Sequence, residues 1–328
     1  MAILEVRDLV VDFHTAAGVV QAVRGISFSM ERGQTLAIVG ESGSGKSVTS
    51  RAIMGILTEN ATVRRGQVLF DGQDLLKLNQ RQLCSIRGNR IAMVFQDPLS
   101  SLDPVMRIGE QIAEGIRLKL GVSPRAARKK ALALLAEVGI RDPARCYRQF
   151  PHQLSGGMRQ RIVIAIALAA DPEILICDEP TTALDVTIQA QILELLGRLK
   201  QQRKLSILFI THDFGVVANV ADRIGVMYAG KLVEYGTSRE IFYDPRHPYT
   251  KALLAAMPDL ATQGRLQAIE GSPPDMTAPP PGDAFALRDP SAMVIELQRQ
   301  PPPFFITETH WAATWRLHPE ANKPEGRA

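Results

Sequence analysis

The chain has 328 residues, 45% of them hydrophobic, which is enough to bury one large core and to carry a smaller appendage. Its net charge of +4 comes from scattered basic residues and does not require a nucleic-acid partner. The three cysteines are widely separated, which excludes a disulfide framework. The longest apolar run has nine residues, too few for a membrane-spanning helix, and we expect no signal peptide. We therefore expect a soluble, cytoplasmic chain that meets a membrane only through partners.

The first predicted element is an antiparallel β-layer. Residues 3 to 30 alternate apolar and polar side chains, and a break at residues 16 to 18 divides them into two strands. Phe13 lies ahead of the glycine-rich segment described next. It is a candidate platform for stacking an adenine ring, and a core or edge position explains it equally well.

A glycine-rich segment, GESGSGKS, follows the apolar run Thr35 to Val39 and precedes a predicted helix over Val48 to Ile56. It fits the phosphate-binding pattern G-x-x-x-x-G-K-[ST] in its strand, loop and helix context, and its glycines let backbone N–H groups converge on an anion. We therefore predict a nucleoside triphosphate site in which Lys46 reaches the β- and γ-phosphates and Ser47 ligates magnesium. The residues assigned to this loop are Gly40, Glu41, Ser42, Gly43, Ser44, Gly45, Lys46 and Ser47.

Gln96 follows a predicted buried strand. An earlier strand is predicted at Val68 to Phe70, and the strand before Gln96 covers Ile91 to Phe95. Pro98 ends this second strand, so Gln96 lies at its carboxyl end. Ligands of open α/β sheets bind at that edge of the sheet. A lone Gln is usually a loop residue, so its assignment to a site depends on the motifs that follow.

Helical segments and a second glycine motif come next. The periodicity is helical from Ile108 to Gly139, with Ser123 and Pro124 as the predicted N-cap and first residue of one helix. The motif LSGGM then leads into an apolar helix over Ile162 to Ala169 and offers an anion a hydroxyl and N–H groups. One nucleotide site does not need two such loops in one chain, whereas a dimer that closes over shared nucleotides does. The residues assigned to the second loop are Ser155, Gly156 and Gly157.

A carboxylate pair lies at the tip of the next predicted strand, Ile174 to Cys177. Burying two carboxylates is costly unless they meet a cation or transfer a proton. Asp178 fits magnesium coordination, and Glu179 fits polarisation of an attacking water. Asp185 follows directly, ahead of a predicted helix over residues 186 to 200.

His212 lies at the tip of a further predicted strand, Leu205 to Ile210, where it could contact a γ-phosphate. An isolated His is more often structural, and only its place in this series of strand tips favours a role at the site. Residues 224 to 234 predict a closing hairpin. Residues 258 to 328 hold both tryptophans and twelve of the 21 prolines, which predicts a small, loop-rich appendage with short strands.

Over about residues 3 to 257, the chain resembles the ATP-binding subunits of ABC transporters. The resemblance depends on six features in this order: GESGSGKS, Gln96, LSGGM, LICDE, the turn at residues 183 to 185 and His212. Met158 stands where that family most often has Gln, but the Ser and both glycines that face phosphate are kept. The roles that the resemblance implies are the Q-loop for Gln96, the signature for Ser155 to Gly157, the magnesium carboxylate for Asp178, the catalytic base for Glu179, the D-loop for Asp185 and the switch for His212.

The resemblance implies an α/β fold, with a P-loop ABC ATPase core, an antiparallel β-subdomain, a helical subdomain and a small C-terminal appendage. The predicted ATP-binding domain covers residues 1–257, with a helical insert at about residues 97–165, and the predicted extension covers residues 258–328. The predicted catalytic residues are Glu179, His212 and Gln96, and the predicted magnesium ligands are Ser47, Gln96 and Asp178.

The stretch RHPYTKALLAAMP, residues 246 to 258, resembles the C-terminal motif of the oligopeptide, dipeptide and nickel importer ATPases. Many members of that group hold an iron–sulfur cluster on later cysteines. Here Asp283 and Asp289 stand where those cysteines would be, and HWAATW is more similar to the cluster-free oligopeptide branch. No cysteine follows Cys177, and carboxylates replace thiolates poorly, so we expect no iron–sulfur cluster. We predict instead that aromatic side chains pack against one another and the core: Phe285, Phe304, Phe305, Trp311 and Trp315.

The resemblance implies a subunit that hydrolyses ATP with Mg²⁺ and powers oligopeptide or dipeptide import at the cytoplasmic face of the cell membrane, as a peripheral protein. Its implied partners are a second, related ATPase in a heterodimer, two membrane permeases and, indirectly, an extracellular solute-binding protein, with no nucleic acid. Importers of nickel or another solute remain an open alternative. A soluble ABC ATPase is a weaker one, because the chain shows neither a long coiled-coil insert nor a second cassette.

Overall fold

The computed structural model of the protein describes residues 2–182, 184–257, 269–319 and 321. The chain forms two compact units. The helical unit comprises the described residues of 30–35 and 77–210, and the strand unit comprises those of 2–29, 36–76 and 211–321. Two residues of the motifs quoted above, Ala183 and Pro258, lie outside the described residues.

The elements are numbered in chain order. The strands are β1 (Ala2–Thr15), β2 (Gly18–Glu31), β3 (Thr35–Val39), β4 (Ala61–Phe70), β5 (Gln73–Asp74), β6 (Ile91–Val94), β7 (Ile174–Asp178), β8 (Ser206–Thr211), β9 (Arg223–Tyr228), β10 (Lys231–Thr237), β11 (Phe304–Phe305) and β12 (Trp311–Ala312). The α-helices are α1 (Lys46–Met54), α2 (Gln80–Ile86), α3 (Ile108–Leu120), α4 (Pro124–Glu137), α5 (Pro143–Arg148), α6 (Gly156–Ala167), α7 (Val186–Arg203), α8 (Phe214–Val217), α9 (Ser238–Tyr243), α10 (Pro248–Ala255) and α11 (Val294–Gln298).

An antiparallel sheet with the strand order β2-β1-β4-β5 begins the strand unit. The alternation of apolar side chains along β1 puts one of its faces in the core. Leu4 pairs with Phe70 of β4, and both are fully buried. The predicted antiparallel β-layer is confirmed, and its break is a turn at residues 16–17.

A second group of strands in the same unit has the order β11-β12-β10-β9-β3. β3 is parallel to β9, with Ile38 opposite Gly225, and all of its residues are buried. β9 turns into the antiparallel β10 through Ala229 and Gly230, whose φ angles are 45° and 76°. This turn confirms the predicted hairpin. The strand that precedes the glycine-rich loop is therefore a core strand of the strand unit.

The helical unit contains parallel strands in the order β8-β7-β6. Val94 lies opposite Cys177, which lies opposite Phe209. Every residue of β7 is buried, as expected for a parallel strand covered on both faces. Parallel pairing brings the carboxyl ends of these strands to one edge, which is the edge predicted for Gln96 and the carboxylate pair.

The helices of this unit follow from apolar stripes and caps in the sequence. α4 begins at the predicted N-cap Ser123, whose Oγ accepts a hydrogen bond from Ala126 N, and Pro124 is its first residue. These helices include those of the segment predicted as a helical insert. No helix among the described residues is long and apolar enough to cross a membrane. The stripe that α3 buries consists of Ile108, Ile112 and Ile116, together with the small residues Gly109 and Ala113.

The C-terminal region, defined as residues 234–257 and 269–319, belongs to the strand unit. Beyond residue 269 it is loop-rich with two-residue strands, as predicted. Most of its aromatic side chains pack: Phe285 is 4% exposed, Phe304 meets Trp315 with ring centroids 6.2 Å apart, and Trp311 stacks on Tyr235. The domain boundary at residues 257/258 stays a prediction.

The prediction for Phe305 is wrong, because this side chain is 73% exposed. Neighbouring residues of a strand point to opposite faces, so the packing of Phe304 turns Phe305 outward. The aromatic side chains also do not form a single cluster. Phe285 packs instead against Tyr228 and Tyr249, with ring centroids 5.5 and 5.2 Å away.

Candidate functional site

The glycine-rich loop lies between β3 and α1 in the strand unit. Gly40 and Gly45 have φ angles of 156° and 101°. A Cβ at Gly40 would lie 2.0 Å from Met227 O, and one at Gly45 would lie 2.4 Å from Ala22 O. Only glycine fits both the dihedral angles and the space. The loop thereby leads into α1 with a glycine N-cap, which contributes no side-chain acceptor to the first N–H groups of the helix.

Lys46 is held inside the loop that it terminates. It is 4% exposed, and its Nζ donates to Gly40 O and Glu41 O, both at 2.8 Å, and to Ser44 Oγ at 3.4 Å. A buried ammonium requires such partners. Lys46 and Ser47 open α1, where the helix dipole and first-turn N–H groups favour an anion. The loop can therefore hold a chain of phosphates, and Ser42 and Gly43 are exposed at its tip.

Gln96 and Glu179 meet at the carboxyl edge of the parallel strands in the helical unit. Gln96 Nε2 donates to Glu179 Oε2 at 3.0 Å, and Thr182 Oγ1 donates to the same oxygen at 3.0 Å. The backbone of Glu179 is left-handed, with a φ of 48°, and its N–H donates to Ile210 O. A carboxylate that is oriented in this way and half-buried is suited to take a proton from a water.

Asp178 ends β7 and is 3% exposed. Burial raises the pKa of the neighbouring Cys177 thiol, so Cys177 stays neutral and adds no second charge. Within the described ranges, no group of three His, Cys, Asp or Glu side chains is arranged to hold a metal. Magnesium commonly takes one or two carboxylates together with waters and substrate phosphates. A single buried carboxylate such as Asp178 fits that ion.

The second glycine loop and Asp185 adjoin each other in the helical unit. Ser155 is the N-cap of α6, and its Oγ accepts a hydrogen bond of 3.4 Å from the first turn. A Cβ at Gly157 would lie 2.6 Å from Ile188 Cγ2, and Asp185 Oδ1 accepts from Ile188 N at 3.0 Å. Ser155, Gly156 and Asp185 are all exposed. This surface can therefore face a second molecule.

His212 and Phe13 belong to the strand unit. His212 is exposed and directly follows β8, and the next residue, Asp213, caps α8 through a 2.8 Å hydrogen bond from Gly215 N. Phe13 is half-buried in β1 opposite Ala61 of β4. Partial exposure suits both an adenine platform and an edge position, so both interpretations of Phe13 stay open.

The predicted residues thus form two groups, one in each unit. In the helical unit Gln96 contacts Glu179, and the Ser155 loop adjoins Asp185. In the strand unit the hydrogen bonds of Lys46 organise the phosphate loop. The role of each individual residue stays a prediction.

Sequence reasoning missed contacts that come from distant parts of the chain. Arg288 Nη1 donates to Glu41 Oε2 at 2.6 Å across a separation of 247 residues, and Tyr249 OH accepts from Glu41 N at 2.8 Å. Thr182, which holds Glu179, was also missed, although its place three residues after a candidate base was a usable local signal.

Asp283 and Asp289, the two aspartates singled out in the sequence, have partners within the strand unit. Asp283 Oδ2 lies 3.2 Å from His247 Nε2, and Asp289 Oδ2 accepts from Arg316 Nη2 at 2.5 Å. Both aspartates are nearly buried, at 6% and 9% side-chain exposure. The expected absence of an iron–sulfur cluster stays a prediction.

Family comparisons agree with the order of motifs in the chain. The profile described as ABC transporter matches residues 23–182, and the profile described as oligopeptide/dipeptide transporter, C-terminal region, matches residues 233–295. A third profile, described as AAA domain, putative AbiEii toxin, Type IV TA system, matches residues 147–218 and overlaps the first.

Two relatives cover nearly the whole chain. It is 56% identical to the oligopeptide transport ATP-binding protein OppD of Bacillus subtilis, over 98% of this chain and 91% of that protein. It is also 56% identical to the dipeptide transport ATP-binding protein DppD of Lactococcus lactis, over 98% and 93%. Among solved structures, a dimeric ATP-binding cassette in a post-hydrolysis state with ADP and Pi has a TM-score of 0.65 and 28% identity, covering 72% of this chain and 99% of that one.

Proposed function

This chain belongs to the ABC transporter family, within its oligopeptide and dipeptide transport ATP-binding proteins, and from that premise we propose that it is the subunit whose ATP hydrolysis powers peptide import through a membrane transporter. The observation that carries the proposal is the hydrogen bond from Gln96 to Glu179 at a strand edge, in a chain whose phosphate loop already holds a buried lysine. The loop supplies the binding chemistry, and the oriented carboxylate supplies the proton acceptor.

The chemistry is mostly positioning and charge stabilisation. Lys46 and the N–H groups at the start of α1 would bind the β- and γ-phosphates. Ser47, Asp178 and Gln96 would hold Mg²⁺, which when bound neutralises charge on the transferring phosphoryl group. Glu179 would accept the proton of the attacking water while the Gln96 amide keeps its carboxylate in place. His212 would contact the γ-phosphate.

Two chains would share each nucleotide. Ser155, Gly156 and Asp185 form an exposed edge in the helical unit, where the start of α6 would favour an anion, while the phosphate loop belongs to the strand unit. A related cassette has been solved as a dimer with ADP and Pi. In this proposal the second subunit is a related but different ATPase, and the pair attaches peripherally to two permeases at the cytoplasmic face of the membrane. An extracellular solute-binding protein would deliver the peptide.

The test is transport by the assembled complex. The chain, its partner ATPase and the permeases are reconstituted in vesicles with Mg²⁺-ATP inside, and the binding protein and labelled di- to hexapeptides are added outside. We expect ATP-dependent peptide uptake that falls to background with Lys46→Ala, because the γ-phosphate loses its cation. Lys129→Ala, on the exposed surface of α4, should transport normally.

Labelled nickel in the same assay covers the alternative solute. Uptake of nickel with no uptake of any peptide would reassign the transporter. ATP hydrolysis with no transport of either solute would contradict the importer assignment.

A further inference from the structure

Glu41, the second residue of the phosphate loop, is held at both its main chain and its side chain. Its N–H donates to Tyr249 OH at 2.8 Å. Its carboxylate accepts two hydrogen bonds from Arg288, at 2.6 Å from Nη1 and 3.2 Å from Nη2. The two-point contact between a planar guanidinium and a carboxylate fixes orientation as well as distance. Both partners come from the C-terminal region.

Arg288 is itself immobilised. Its side chain is 5% exposed, and its remaining hydrogen bonds go from Nε to Glu270 O at 2.8 Å, from Nη2 to Ile269 O at 3.2 Å and from Nη1 to Tyr228 OH at 3.2 Å. With the two bonds to Glu41, all five N–H donors of the guanidinium are used. Because all five donors are used and the side chain is buried, the guanidinium is held in one orientation. Its two hydrogen bonds therefore hold the Glu41 carboxylate in one position.

Tyr249 is equally fixed. It is fully buried in α10, and its ring packs against Tyr228 at 4.5 Å and Phe285 at 5.2 Å. Burial raises the pKa of the Tyr249 phenol, so the hydroxyl remains a neutral acceptor for the Glu41 N–H at physiological pH.

The contact continues from Glu41 to the cation of the loop. The carbonyl of Glu41 accepts the 2.8 Å hydrogen bond from Lys46 Nζ. The Gly40 carbonyl, which lies in the same planar peptide unit as the Glu41 N–H, accepts a second 2.8 Å hydrogen bond from Lys46 Nζ, so movement of this peptide unit also moves an acceptor of Lys46. Arg288 and Tyr249 therefore contact Glu41, and the Glu41 carbonyl in turn contacts the ammonium that would bind phosphate.

We propose that Arg288 and Tyr249 are positioning residues for the phosphate loop, which fix Glu41 and through it Lys46, so that ATP binding depends on the C-terminal region. The inference rests on the proposed function, since it takes this loop to be the ATP site. Removing Arg288 would leave a half-buried carboxylate without its charged partner and release the first turn of the loop. We expect ATP to bind about tenfold to hundredfold more weakly, the scale of a lost hydrogen bond to a charged group.

The experiment is an equilibrium titration of the purified full chain with Mg²⁺-ATP, for Glu41→Gln, Arg288→Gln and the double variant. Arg288→Gln should bind ATP about tenfold or more weakly. The double variant should recover part of that loss, because it removes the lone carboxylate and its amides can pair. Arg316→Gln is the matched control, since it breaks an arginine–aspartate pair within the C-terminal region that does not touch the loop. It should lower the unfolding temperature but leave the ATP dissociation constant unchanged.

The variant Lys46→Ala distinguishes failure of the positioning role of Arg288 from failure of the ATP site itself. If Lys46→Ala abolishes ATP binding while Arg288→Gln binds like the wild type, the positioning role is wrong and the ATP site stands. If Lys46→Ala also binds like the wild type, the ATP site itself is wrong.

Amide exchange of the unaltered chain gives a second readout should a variant fail to fold. By linkage, ATP must stabilise the contacts that favour its binding, so saturating Mg²⁺-ATP should slow exchange in residues 284–288. Unchanged exchange there with ATP bound would overturn the proposal.

Discussion

The phosphate loop and the C-terminal region are stabilised by contacts of very different range. In the loop, Lys46 bonds to carbonyls only five and six residues before it. In the C-terminal region, Glu234 Oε1 lies 2.8 Å from His310 Nε2, 76 residues later, and Arg288 reaches back to Glu41. The lysine of the phosphate loop is thus placed by local contacts, whereas the C-terminal region is held together by pairs that are distant in the sequence.

Glu234 shows how such a distant contact works. Its carboxylate is fully buried and accepts from Arg246 N at 2.7 Å and from His247 N at 3.0 Å, in addition to its contact with His310. It thereby fastens the start of α10 to the segment before β12. One side chain of β10 therefore joins two parts of the C-terminal region.

This contrast predicts that a change at Glu179 alters the rate of ATP hydrolysis and not the stability of the fold. Glu179→Gln should leave ATP binding intact and slow hydrolysis by ~10²–10⁴, since the amide keeps the shape but cannot take the proton of the water. Steady-state ATPase of the assembled transporter, beside a nucleotide-binding assay, measures both quantities. Glu194→Gln, on the exposed face of α7, is the control. Near-normal turnover of Glu179→Gln would remove Glu179 from the role of base.

A change at the buried Glu234, which does not contact the phosphate loop, should have the opposite signature and a smaller size. Glu234→Gln turns one acceptor into a donor that faces N–H groups, so the free energy of unfolding should fall by about 1–3 kcal/mol. Thermal unfolding and limited proteolysis of the C-terminal region measure this loss. Glu308→Gln, exposed in the same region, should change neither. Equal stability of the two variants would show that the buried carboxylate does not fasten this region.

The same difference in range explains what the sequence could predict. The strand, loop and helix that form the phosphate loop, the cap at Ser123 and the carboxylate pair at Asp178 and Glu179 all depend on short patterns. The bidentate contact between Arg288 and Glu41 has no local pattern, because neither neighbourhood contains its partner. The outward turn of Phe305 depends on which face of a two-residue strand meets the core, and an aromatic-rich segment does not specify that.

The central claim is that ATP hydrolysis needs the phosphate loop of one subunit and the Ser155 loop of another. The most direct test is the ATPase rate per chain, measured as purified chain and its partner ATPase are diluted together through the range where they dissociate. The account predicts that the rate per chain falls toward zero on dilution while ATP still binds, and that Ser155→Arg abolishes the rate at every concentration without preventing ATP binding to the monomer. A full hydrolysis rate in a dilute solution of monomers would contradict it.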